Sequence, residues 1–125
     1  MTTHEISELL TVTAPAVARE LSTLTGETWT ADTPEEPQHF RHLRREDGAE
    51  VSLSLRDYPR PARFSASGNF PPYDCAPCYE KRVTIHISTS KTPAQIAKDI
   101  TRRLLPTHLP QYAEALQRHQ RTLAA

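Results

Sequence analysis

The sequence predicts an α+β domain of two layers, an antiparallel meander of three to five strands with an N-terminal and a C-terminal helix packed on one face. Three observations lead there. Residues 51–56, 63–70 and 82–88 alternate apolar and polar side chains, a period of two that marks strands with one buried face. Both ends of the chain instead repeat their apolar residues at helical spacing. Asp47-Gly48 between two strand-like runs is a strong hairpin signal. A sheet that is wet on one side must bury the other, and the two helical ends are available to cover it.

At the N-terminus, Thr2 or Thr3 can cap a first helix, and Glu5 and Glu8 suit its first turns, where the dipole favours acids. Ile6, Leu9 and Leu10 supply its apolar face. Thr11-Val12-Thr13 is expected to break the helix, and Pro15 to open a second segment carrying Val17, Leu21 and Leu24. Gly26 is the expected C-terminal stop. A short strand around Trp29 and a loop over residues 33–37 follow.

Residues 40–46 predict a strand whose alternation is imperfect. Beyond the Asp47-Gly48 turn, Val51, Leu53 and Leu55 alternate with Ser52, Ser54 and Arg56. Tyr58-Pro59-Arg60-Pro61 ends that strand. Phe64, Ala66, Gly68 and Phe70 alternate with Arg63, Ser65, Ser67 and Asn69, and Pro71 to Glu80 forms a loop. Val83, Ile85 and Ile87 then oppose Thr84, His86 and Ser88. Thr92-Pro93-Ala94-Gln95 fits a capping box with proline at the first helical position. Ile96, Ile100 and Leu104 extend that helix. Pro106 should kink or split it, and Leu109, Tyr112, Leu116 and Leu123 continue its stripe.

The chain of 125 residues is read as a single domain, 1–125, long enough to bury a core. The apolar share of 37% is modest, but patterned as a folded chain requires. No apolar run reaches the roughly 20 residues that span a bilayer, and the first residues lack a secretory pattern, so a cytoplasmic protein without membrane contact is expected. The formal charge sums to zero but is unevenly placed: residues 1–36 hold seven acids and one base, residues 81–125 eight bases and two acids. Either the two ends attract each other or the basic end faces an acidic partner.

Three places could carry function. Cys75 and Cys78 are spaced to chelate one metal, yet a structural zinc needs four ligands. His39, His42, His86 and His108 are the only candidate helpers, at irregular spacing. Catalytic motifs and phosphate-binding glycine loops are missing, so neither an enzyme nor a cofactor is expected. The wet sheet face would carry Ser52, Ser54, Arg56, Arg63, Ser65, Ser67, Asn69, Thr84 and His86, a polar and mildly basic surface suited to a nucleic-acid backbone or a protein. It is expected to lack aromatics for stacking bases, because Phe64 and Phe70 point inward. The third place is the basic side of the C-terminal helix, with Lys98 and Arg102 four residues apart, Arg103 beside them, and Arg118 and Arg121 beyond.

Two resemblances add to this. The segment from Arg82-Val-Thr-Ile-His-Ile-Ser through Thr92-Pro-Ala-Gln-Ile-Ala-Lys-Asp-Ile-Thr-Arg-Arg-Leu-Leu-Pro106 resembles the end of small uncharacterised proteins of phages and other bacterial mobile elements. That likeness covers about the last third of the chain. It brings no catalytic residues, and implies an accessory role: binding nucleic acid, or inhibiting a host defence complex. Locally, Ile6 to Leu24 is similar to the helix-turn-helix of winged-helix regulators, with the Asp47-Gly48 hairpin in the place of the wing. Thr11 stands there where glycine is usual, and Arg19 is the one strong DNA-contacting side chain.

The expectation is therefore a non-enzymatic accessory protein that binds a protein or nucleoprotein partner, with Lys98, Arg102, Arg103, Arg56, Arg63 and His86 as the contact residues. The alternative is a DNA-binding regulator using residues 6–24.

Overall fold

The computed structural model describes residues 1–57, 60–70 and 82–124. Helix α1 (Thr3–Thr25) leads into five strands: β1 (Trp29–Ala31), β2 (Phe40–Arg45), β3 (Glu50–Arg56), β4 (Arg63–Asn69) and β5 (Thr84–Ser88). They form one antiparallel sheet in the order β1-β2-β3-β4-β5. Helix α2 (Pro93–Asp99), a π-helical turn (Ile100–Leu104) and helix α3 (Leu105–Ala124) follow without a gap. The architecture is the α+β arrangement that the sequence predicts, at the upper end of its strand range.

Helix α1 is capped at both ends as its sequence suggests. Thr2 and Glu5 form a capping box, and Gly26, at φ 74°, donates its N–H to the Ser22 carbonyl over 3.0 Å. The expected break at residues 11–13 does not occur: residues 6–24 lie in one continuous helix, with Pro15 inside it. The helix-turn-helix is thereby overturned, since there is no turn to aim a recognition helix. The reason is packing. Ile6, Leu10, Ala14, Val17 and Leu21 are all buried along one stripe. Pro15 is exposed, so the carbonyl it leaves unpaired faces water. Leu9 and Leu24, expected in the apolar face, are each 48% exposed.

In β2, Leu43 points into the core and carries Arg41 inward with it, since alternate residues share a face. Phe40, His42 and Arg44 therefore point outward, which resolves the strand's imperfect alternation. Buried Arg41 spans a gap to α1. Its Nη2 donates to the Ser7 carbonyl (3.0 Å), Ser7 Oγ (3.0 Å) and Thr11 Oγ1 (3.1 Å), and its Nη1 to the Gln38 and Phe40 carbonyls (3.2 and 2.8 Å).

The capping box of α2 forms as predicted, with Thr92 Oγ1 accepting from Gln95 N–H (3.3 Å) and Gln95 Oε1 from Thr92 N–H (2.9 Å). Pro106 does not split the helix. The chain widens one turn earlier, and Leu105 N–H donates to the Ile100 carbonyl in a π pattern. In a tight α-turn the Pro106 ring would meet the carbonyl four residues before it; the wider turn relieves that. Ile96, Ile100 and Leu104 are fully buried in the core. In α3, Tyr112 is buried and Leu109 packs on the core, but Leu123 is 73% exposed, so the stripe ends before it. Leu105, His108 and Ala115 occupy the other buried positions of this helix.

Candidate functional site

All the described helical cover lies on one face, so no described element covers the other face of the sheet. Its form follows from register. Two rows run straight across four strands: Phe40, Ser54, Ser65 and His86 in one, His42, Ser52, Ser67 and Thr84 in the next. The central strands β3 and β4 contribute only serines to these rows, and the flanking strands contribute larger side chains. A floor of small residues between taller walls is a trough, here with a volume of about 530 Å³. The walls stand about 14 Å apart, three strand spacings. Arg56 and Arg63, directly opposed across β3 and β4, close one end, and Arg82 also lines the hollow.

The floor is knitted by hydrogen bonds. Ser65 Oγ lies 3.0 Å from His86 Nδ1, Ser67 Oγ lies 2.9 Å from Thr84 Oγ1, and Ser54 Oγ donates to the Ser65 carbonyl over 3.3 Å. A hydroxyl beside an imidazole is half of a nucleophile–base arrangement. Among the described residues no carboxylate is hydrogen-bonded to the His86 ring.

Charge distinguishes this face. The described residues lining the trough include three arginines and two histidines, and among them no aspartate or glutamate. Arg56, Arg63 and Arg82 make no ion pair with any described carboxylate. Like charges placed opposite each other across a ladder are unfavourable, so the Arg56–Arg63 pairing does not itself stabilise the sheet. The nearest acids are already engaged. Glu50 is buried, accepting from Arg44 Nε (3.1 Å) and Asn69 Nδ2 (3.0 Å). Asp32 accepts from the backbone N–H of His42 (2.7 Å) and lies 3.1 Å from its Nδ1.

Every wet-face residue expected from the sequence lies on this face, among them Arg56, Arg63 and His86. Sequence reasoning missed Phe40 and His42. Their rings lie 5.3 Å apart on the β2 wall, and Phe40 is 39% exposed. The available signal was Leu43, whose inward direction puts residues 40 and 42 outward.

The basic helix is less concentrated. Lys98 and Arg102 are exposed and do not line the trough. Arg103 alone reaches toward it, its Nη1 lying 3.4 Å from the carbonyl of His86 on the edge strand. Arg118 pairs with Glu114 on its own helix. No ion pair among the described residues joins the acidic first third of the chain to the basic last third.

Cys75 and Cys78 lie outside the described residues. Their expected helpers are dispersed: His39 lies by Thr3 (3.2 Å), His42 by Asp32, His86 by Ser65, and His108 is buried beneath the sheet. Among the described residues no three His, Cys, Asp or Glu side chains gather as a metal site. No described helix is long and apolar enough to cross a membrane.

His108 has neither ring nitrogen hydrogen-bonded. It is wedged against β4 where Gly68 has no side chain; a Cβ there would lie 2.1 Å from His108 Nδ1. Phe70 meets its ring edge-on at 5.3 Å. Burial pushes the imidazole pKa down to about 4. The Glu50 backbone opposes that shift without reaching hydrogen-bond geometry. At the other end of the sheet, the bond from the N-terminal ammonium (2.6 Å) holds the Asp57 carboxyl below its usual range.

No protein-family model, curated protein or solved structure matches this chain.

Proposed function

We propose that this chain is a non-enzymatic accessory protein that binds a nucleoprotein partner, holding its nucleic-acid backbone on the open face of the sheet. The observation that carries the reading is the charge of the trough: three arginines that pair with no carboxylate among the described residues, around a floor of hydroxyls. Phosphate oxygens are the natural complement of such a surface, because guanidinium groups bind them bidentately and serine hydroxyls donate to them. Small neutral side chains on the floor let a backbone approach closely, and their hydroxyls carry little sequence preference. The likeness of residues 82–106 to the ends of mobile-element proteins supports the accessory role, with inhibition of a host defence complex as one form of it.

The test is fluorescence anisotropy with labelled DNA and RNA across a salt series, on the native chain and on the double variant Arg56→Glu/Arg63→Glu. Binding that weakens with salt is expected, because phosphate contacts release counterions. The double reversal should weaken it more than tenfold while leaving the melting temperature within a few degrees. No binding to any nucleic acid at low salt would overturn the reading and turn the search toward an acidic protein surface.

A further inference from the structure

We infer that the trough takes single-stranded rather than double-stranded nucleic acid, with a base stacked on Phe40. This rests on the reading of the trough as a phosphate-binding surface and deepens it. Phe40 is a large apolar side chain left partly open on a wall that is otherwise polar, and no core residue requires it there. Its ring partner His42 is fixed by Asp32, so the two rings form a braced step on one side of the trough. A base set against that step would lie above Ser54 and Ser52, which are too small to obstruct it.

The spacing of the cations agrees. Arg56 and Arg63 occupy one end, and the ladder bond from Gly68 N–H to the Val83 carbonyl (3.1 Å) places Arg82 beyond the two serine rows at the other. Three two-residue steps along a strand separate these ends, about 20 Å. A single strand laid along β3 and β4 can therefore meet arginine at both ends and the aromatic wall between. In a duplex the base faces are stacked on one another, and an aromatic at the protein surface has none to receive. An aromatic step beside a basic groove is the arrangement that binds single strands with little regard for sequence.

The experiment compares oligonucleotides of about 12 nucleotides, single-stranded and as a duplex, by anisotropy at low salt. The variants are Phe40→Ala, Phe40→Trp and Arg56→Glu/Arg63→Glu. The native chain is expected to prefer the single strand at least tenfold. Phe40→Ala should weaken single-strand binding roughly 5- to 150-fold, the worth of one stacked base, and leave duplex binding unchanged. Phe40→Trp should keep or strengthen it, which a merely structural role for Phe40 would not produce. Equal affinity for both forms, with Phe40→Ala silent, would overturn this inference while leaving the phosphate-binding reading intact. Loss of all binding in the native chain would overturn both.

Discussion

The two faces of the same sheet are built from neighbouring residues and obey opposite rules. On β3, Val51, Leu53 and Leu55 are essentially inaccessible, whereas Ser52 and Ser54 between them are half-buried and Arg56 is exposed. On β4, Phe64, Ala66 and Gly68 face the helices, and Gly68 must lack a side chain because His108 occupies the space. Arg63, Ser65, Ser67 and Asn69, one residue along in each case, face the trough. The inward face is fixed by volume, so nearly any change there is felt. The outward face carries small polar side chains and three arginines that pair with no described carboxylate. That contrast is the argument for placing function on the outward face.

The sharpest way to break the comparison is to substitute neighbours on one strand. Leu53→Ala should cost about 2–5 kcal/mol by emptying a fully buried site. Ser54→Ala should change stability by less than about 0.5 kcal/mol. Denaturant melts of the two variants decide it, and similar costs would mean that the faces are not as different as their burial.

Acid should sharpen it further. His108 is held neutral in the fold, its pKa lowered from 6.5 to about 4. Between those values the unfolded chain binds a proton that the folded chain does not. Stability is therefore complete above pH 6.5 and falls as pH is lowered toward 4, by up to about 3 kcal/mol. Asp57 and Asp47 have depressed pKa values and an ordinary value of 3.8. Their contribution is present above that value and lost below it, so they act under the His108 window. His108→Leu should flatten the slope between pH 6.5 and 4.5, and melts at several pH values would show it. An unchanged slope would mean that the imidazole is not the titrating group.

Arg41 is the buried charge on the inward side of β2, and its guanidinium satisfies carbonyls of Ser7, Gln38 and Phe40. Arg41→Met would keep the bulk and orphan those acceptors, at a cost of about 1–3 kcal/mol. A neutral result would show that water replaces the guanidinium there. Smallest of these effects, Thr92→Ala should remove the cap of α2 and cost about 1 kcal/mol, with Thr92→Asn restoring most of it.

Much of this contrast was legible before the fold was known. Alternation in residues 51–56, 63–69 and 84–88 assigns each side chain to a face, because the period of a strand leaves no third choice. The wet-face roster followed from that alone. Where local signals conflicted, the outcome depended on packing. Thr11, Thr13 and Pro15 read as a break, but the stripe from Ile6 to Leu21 holds α1 straight through them. Pro106 read as a kink, and a π-turn at Ile100–Leu104 absorbs it. In β2 four of six residues are basic or imidazole, so hydropathy could not say which face is inward; contact between Leu43 and the core decides, and buries Arg41. That one choice also moves Phe40 into the trough, where a strand read by hydropathy alone would not have put it. Row alignment across strands, which makes a trough of scattered serines, depends on turn lengths and pairing that composition does not carry.

The most direct test is to titrate isotope-labelled protein with a short single-stranded oligonucleotide and follow the backbone amide resonances. The account predicts shifts centred on Ser52, Ser54, Ser65, Ser67 and Thr84, extending to Phe40 and His86, with α1 unmoved. Shifts confined to the exposed helix around Lys98 and Arg102, or no shifts at low salt, would contradict it.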